Sequence, residues 1–261
     1  MGALSLLQEH IEELKESFNS AIIVGNSNIG LTTYMLYVLI CSVIVVCVVL
    51  IAGRKLTMVP KNRFVNLVEL GYGYVTNDIA KSSCGSTWKK HIPFLSTLFF
   101  FILIANFVGL IPGAKAATGS ISVTWALAII SFVYFNYWGI KVKGGFKYLK
   151  EIAPTGIPAL LSPVIWFFEV LSTCLRALTL AFRLYGNMFA GHMVLGIFSL
   201  LIGIFCQYAI CNVDLLSGLP AIAWLLFLIF MYCLEILVAF LQAYVFTTLS
   251  AVYVSLATQS H

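Results

Sequence analysis

The sequence predicts an all-α integral membrane protein with five transmembrane crossings and one amphipathic surface helix, the last two helices long and steeply tilted. Of 261 residues, 61% are hydrophobic and only 10% are charged, with a mean hydropathy of +1.00. A soluble domain carries roughly 25% charged residues, so lipid is the expected solvent. Apolar runs recur along the chain, and the basic residues gather in short stretches between them. The last two runs exceed the roughly 20 residues that one upright crossing needs.

Residues 1–30 read as an outer-side amino-terminal segment. Glu9, Glu12, Glu13 and Glu16 precede any long apolar run there, the reverse of a signal peptide's basic start, and no cleaved targeting segment is expected. Residues 31–53 form the first transmembrane helix, because Leu31 to Ala52 contains no charge and covers a hydrocarbon core of about 30 Å at about 1.5 Å per residue. Residues 54–90 alternate charges such as Lys61, Arg63, Glu69, Asp78 and Lys81 with Val65, Leu67, Val68 and Leu70. That mixture predicts an amphipathic segment lying on the membrane surface. Residues 91–141 predict a hairpin, with spans at 92–111 and 121–140 around a segment punctuated by Pro112 and Gly113. A basic inner loop at 142–159 follows, with Lys143, Lys147 and Lys150 and then Pro154, Gly156 and Pro158. Residues 160–257 are expected to form two long helices around a turn near Asp214, and the sparse turn signals within them favour tilt over extra crossings.

Loop charge sets the orientation. The basic stretches 53–64, 81–90 and 141–150 fall on one side, read as cytoplasm or matrix, which puts the amino terminus and the Asp214 turn on the other. The net charge of +5 is thereby used up as a topology signal, and no nucleic-acid partner is expected. Seven cysteines, an odd number without a CxxC pair, read as free thiols. No HExxH, GxSxG or GxxxxGK[ST] motif is present, and His10, His91, His192 and His261 lie in separate segments. Neither a metal nor a cofactor is expected.

The two long helices hold the candidate site. An ionisable residue within a bilayer costs at least about 2.5 kcal/mol and usually faces a bundle interior or a water pathway. One helix carries Glu169, Arg176, Arg183 and His192, and the first three are spaced by seven, a spacing that drifts only about 20° per step. Asn187 extends their stripe, and Gly186, Ala190 and Gly191 beside it leave room for another helix. The last helix carries Glu235 and Gln242, also seven apart, with Ala239 and Ala243 nearby. If these helices are antiparallel about residue 215, His192 and Glu235 lie 23 and 20 residues from the turn, and Arg183 and Gln242 lie 32 and 27. Each pair then shares a depth, with Glu169 toward the inner side.

Each residue also has a packing explanation. Arg176 could pair with Glu169, His192 could simply satisfy Glu235, and Asn187 and Gln242 could be interhelical glue. Five or six costly groups on facing stripes nonetheless exceed what packing requires. Intramembrane charge alone would equally suit a transporter of another kind, although no internal repeat or pair of Gly/Pro-broken helices is visible.

The segment Leu180-Ala181-Phe182-Arg183-Leu184-Tyr185-Gly186-Asn187-Met188-Phe189-Ala190-Gly191-His192 resembles the arginine-helix signature of the F-type ATP synthase subunit a family. Leu234 to Phe246, with Leu241-Gln242-Ala243, resembles the family's second signature, and Phe101 to Pro112, with Asn106, its hairpin segment. The resemblance spans about residues 55–257. In some bacterial members a glutamate stands at the position of His192 and a histidine at that of Glu235, so the pair is exchanged here.

The resemblance implies a non-catalytic, proton-translocating stator subunit of a rotary ATP synthase, without a cofactor. Its implied partners are the subunit c ring, the peripheral-stalk subunit b, other ATP synthase subunits and the lipid bilayer. The implied membrane is an energy-coupling one, with the bacterial plasma membrane favoured over the mitochondrial inner membrane. His192 and Glu235 would line an outer half-channel, Glu169 would stand near an inner one, and Arg183 would separate them. Asn187 and Gln242 would orient the arginine, and Arg176 would be an auxiliary charge.

Overall fold

The computed structural model describes residues 22–26, 29–54, 63–111, 113–145, 162–212 and 219–258. The acidic stretch Glu9 to Glu16, Lys55, Lys61, the Lys147 to Pro158 loop and the Asp214 turn lie outside the described residues. Five helices are long and apolar enough to cross a membrane, matching the five expected spans.

A short antiparallel hairpin precedes the first of them. Strand β1 (Ile22–Asn26) pairs with β2 (Ile29–Thr32), with Gly25 opposite Gly30 and Asn26 opposite Ile29. Helix α1 (Thr33–Arg54) follows at once. Met35, Leu39, Val43, Val46 and Leu50 are exposed, as suits a helix whose outer side meets acyl chains. Its inner side packs Cys41 against Ala105 and Ala117.

The amphipathic segment is helical but not uniform. Helix α2 (Arg63–Tyr74) runs into a single π-helical stretch, Val75–Ala80, and then the short helix α3 (Lys81–Cys84). Val65, Val68, Val75 and Ile79 are buried, a stripe at helical spacing that faces the bundle. Phe64, Leu67 and Leu70 remain exposed, so a second apolar face is left for a membrane surface.

The hairpin is longer than the spans read from the sequence. Helix α4 is Trp88–Gly109 and helix α5 is Ile121–Lys143, so Lys141 and Lys143 stand in the last turn of α5 rather than in a loop. Gly144, at φ +84°, ends that helix. Pro93 lies inside α4, and Ser96 and Thr97 donate hydrogen bonds to the carbonyls of Ile92 and Pro93 at 2.7 Å each.

Each of the two long apolar runs is one continuous helix. Helix α6 is Ser162–Asn212 and α7 is Leu219–Thr258, 51 and 40 residues, or roughly 75 and 60 Å at 1.5 Å per residue. A hydrocarbon core is about 30 Å thick. No proline falls within α6 after Pro163, so nothing in its ladder forces a break. Helix α7 packs on α4, α5 and α6, and its Ala239 and Ala243 are fully buried. Small side chains let neighbouring backbones close in, which matters because lipid supplies no hydrophobic drive between helices. The main core joins Leu95, Phe99 and Ile102 of α4, Leu180 and Leu184 of α6, and Phe246 of α7.

Candidate functional site

The polar groups of α6 and α7 are sorted by direction. Leu180, Ala181, Leu184 and Met188 are buried and form the packing face of α6. Arg183 is exposed, as are its neighbours Gly186 and Ala190. It makes no hydrogen bond or ion pair among the described residues. A Cβ added to Gly186 would meet nothing within 4 Å, so this face is open. His192 is nine residues on, and nine residues at about 100° each turn it half a revolution from Arg183. The imidazole accordingly points back into the bundle, where a Cβ on Gly109 would come 3.2 Å from its Nε2.

Glu235 enters the same region from α7. It is buried, and its carboxyl lies directly against Gly191, so closely that a Cβ there would overlap it. The three small residues of α6 therefore divide. Gly186 and Ala190 stay open to the outside, whereas Gly191 is already taken by a side chain of this chain. Gln242 is buried two turns further along α7, and Asn187 is half-buried between Gly191 and Arg183 around the α6 surface.

These four residues share an unusual property. Among the described residues, six buried side-chain polar atoms have no hydrogen-bond partner, and four of them are Asn187 Nδ2, His192 Nε2, Glu235 Oε1 and Gln242 Nε2. The other two are the hydroxyls of Thr76 and Thr248. An unmet buried donor or acceptor costs about 1–3 kcal/mol. Four of the six thus belong to the candidate residues of α6 and α7.

The other two candidates lie on the side of Arg183 away from His192. Glu169 is half-buried, and its backbone carbonyl accepts a hydrogen bond from Thr173 at 2.8 Å. Arg176 does not pair with Glu169; its guanidinium sits 5.6 Å from the ring centre of Tyr253 on α7. A shallow groove of about 370 Å³ runs here, lined by Phe168, Leu171, Ser172, Leu175, Arg176 and Thr179. No cluster of three His, Cys, Asp or Glu suited to a metal occurs among the described residues.

Sequence reasoning passed over three contributors. Gly109 receives His192, Tyr253 receives Arg176, and Thr118 donates to Asn106, which in turn reaches α7. Asn106 stood out only as part of a motif. The first two contacts join segments far apart in the chain, and the third spans 12 residues across the hairpin turn, so no local spacing announces them.

Comparison with known proteins agrees with this architecture. A family model described as ATP synthase A chain matches residues 35–255. The chain is 38% identical to ATP synthase subunit a of Chlorobium phaeobacteroides, over 91% of this chain and 68% of that protein. It is 34% identical to ATP synthase subunit a of Bradyrhizobium diazoefficiens, over 89% and 90% of the two chains. For ATP synthase subunit a of Dictyostelium citrinum the figures are 33%, 94% and 96%. Such similarity, running through every membrane span, is that of common descent: the chain belongs to the ATP synthase A chain family.

Proposed function

We propose that this chain is the stator through which protons reach and leave the carboxylates of a rotating subunit c ring, with Arg183 as the barrier between two aqueous half-channels. The observation that carries the reading is the position of Arg183. A guanidinium stays charged at any working pH, and a charge within the hydrocarbon costs at least about 2.5 kcal/mol when it has no partner. Arg183 is exposed, has no counter-ion among the described residues, and is flanked by the open Gly186 and Ala190. A carboxylate on another chain would meet all three conditions.

Protons from the outer side reach His192 and Glu235 within the bundle and pass around α6, by way of Asn187 and Gln242, to the exposed face. There they neutralise a ring carboxylate, which then faces lipid. After nearly a full turn the carboxylate comes to the groove that Arg176 lines, with Glu169 close by on the same helix, and releases its proton inward. Arg183 attracts the bare carboxylate and repels a proton moving straight across, so conduction requires rotation. Each charge crossing is worth about 2.3 kcal/mol per 100 mV. The half-turn between His192 and Arg183 supports this reading, because it puts proton uptake and ring contact on opposite sides of one helix.

On this reading the subunit works in an energy-coupling membrane, bacterial plasma or mitochondrial inner, beside the ring, a peripheral-stalk subunit b and the other synthase subunits. The test is Arg183→Ala in the assembled complex reconstituted into vesicles. ATP-driven pumping should be lost and passive proton leak should rise; coupled pumping that persists would overturn the assignment.

A further inference from the structure

We propose that Thr118 and Asn106 form a positioning clamp, which holds the tip of the α4–α5 hairpin against α7 so that His192 and Glu235 meet in working register. The inference rests on the half-channel reading given above.

The clamp begins in the turn. Leu110 and Ile111 close tight turns onto Phe107 and Val108, at 3.2 Å each, and Gly113 adopts φ +86°. The chain thereby doubles back beneath the end of α4. A Cβ on Gly109 would come within 2.8 Å of the Ala116 Cα, so only glycine permits this approach. The short 3-10 turn Ala117–Gly119 then brings Thr118 under Asn106.

Thr118 donates its hydroxyl hydrogen to Asn106 Oδ1 at 2.8 Å, and Asn106 Nδ2 donates to the Ala239 carbonyl at 3.2 Å. Thr118, Asn106 and Ala239 are all fully buried. The order of these bonds matters. The Ala239 carbonyl can only accept, so it turns the amide nitrogen toward α7, and the Thr118 hydroxyl, which can donate, meets the oxygen on the other side. Without Thr118 that oxygen would be buried with no donor, and the hold on Asn106 would rest on one bond.

The clamp acts on the site through helix geometry. Ala239 is four residues from Glu235 and Gly109 is three from Asn106, each one turn along its own helix. A single turn of α4 is thus tied to α7 beside Glu235 and touches α6 at His192. It bridges the seam between the two long helices at the depth where their polar groups meet. Asn106 and Thr118 have partners for their amide and hydroxyl, whereas Glu235 and His192 each keep an atom free. That division is what a positioning pair and the groups it positions require.

The experiment uses the assembled complex in vesicles. Thr118→Val, which keeps the shape and removes the donor, should slow passive proton conduction through the membrane sector about 2- to 10-fold, the equivalent of one hydrogen bond. Thr118→Ser should restore the rate to within about twofold, since the hydroxyl is what counts. Thr118→Ser should keep the melting temperature of the parent complex, whereas Thr118→Val and Asn106→Leu, which leave a buried partner unmet, should lower it slightly. Asn106→Leu should slow conduction at least as much, and adding Thr118→Val to it should slow conduction no further. The clamp is refuted if Thr118→Ser is no better than Thr118→Val, or if the two substitutions act independently. Glu235→Gln serves as the control for the underlying reading. If it leaves conduction intact, the half-channel assignment fails; if it abolishes conduction while Thr118→Val has no effect, the clamp alone fails.

Discussion

Helix α7 divides into two stretches that use polar side chains in opposite ways. Toward its carboxyl end they are satisfied. Ser250 accepts a hydrogen bond from Ser131 of α5 at 2.9 Å, Thr247 and Thr258 donate to carbonyls one turn back, and the Ala251 carbonyl accepts from Cys84. Thr248 is the exception. One to three turns earlier, Gln242 and Glu235 are also buried, yet each holds an atom without a partner. In a membrane the first pattern is that of glue, and the second is what the proposed proton path calls for. Burial does not distinguish them; satisfaction of hydrogen bonds does.

The largest expected effect breaks the unsatisfied stretch. Gly191→Ala would drive a methyl group into the Glu235 carboxyl, and because misplacing a reacting group by about 1 Å can cost on the order of 100-fold, proton conduction in vesicles should fall by about that factor. Gly186→Ala is the counterpart. With nothing within 4 Å of the new methyl inside this chain, its folding stability should hold or rise by up to about 1 kcal/mol, since alanine is the better helix former, so a stability loss from Gly186→Ala would contradict the open face.

The satisfied stretch can be sharpened at Cys84. Burial pushes its thiol up to about 11. At pH 8 the group is held as thiol, its thiolate some hundredfold scarcer than at an exposed cysteine, and reactivity grows only as pH approaches 11. Alkylation followed by mass spectrometry should find Cys84 modified about 100-fold more slowly in the folded protein than after denaturation. Equal rates would mean that its packing against α7 is wrong.

The smallest effect falls on the Ser131–Ser250 pair. Interhelical hydrogen bonds in membranes average about 0.6 kcal/mol, so Ser131→Ala should destabilise by roughly that amount in a denaturant titration and leave pumping at its normal rate. A loss of pumping with little loss of stability would move this pair from glue to site.

The sequence carried much of this. Apolar run length made the five spans legible, and the stripe of Glu169, Arg176 and Arg183 was legible because helical periodicity is local. The contact of Glu235 with Gly191 was not, since the register between two helices depends on how they slide together. The same holds for Arg176, whose partner turned out to be Tyr253 rather than the carboxylate one heptad away. The β1–β2 hairpin left a signal that the neighbouring span masked. Asn26, Ser27 and Asn28 are a polar tripeptide between short apolar runs, a sequence pattern that suggests a hairpin turn. The π-helical stretch at Val75–Ala80 leaves none, because an extra residue per turn is a response to packing rather than a property of composition.

Helix α6 passes without interruption from Arg183 to His192, and that continuity makes chain length itself a functional constraint. One residue inserted between the two would advance His192 by about 1.5 Å and swing it about 100° out of phase, taking the imidazole away from Gly109 while the arginine stayed where it was. Substitutions along the eight intervening positions can be absorbed one side chain at a time. A change in their number cannot, so insertions and deletions here should be purged where many replacements survive.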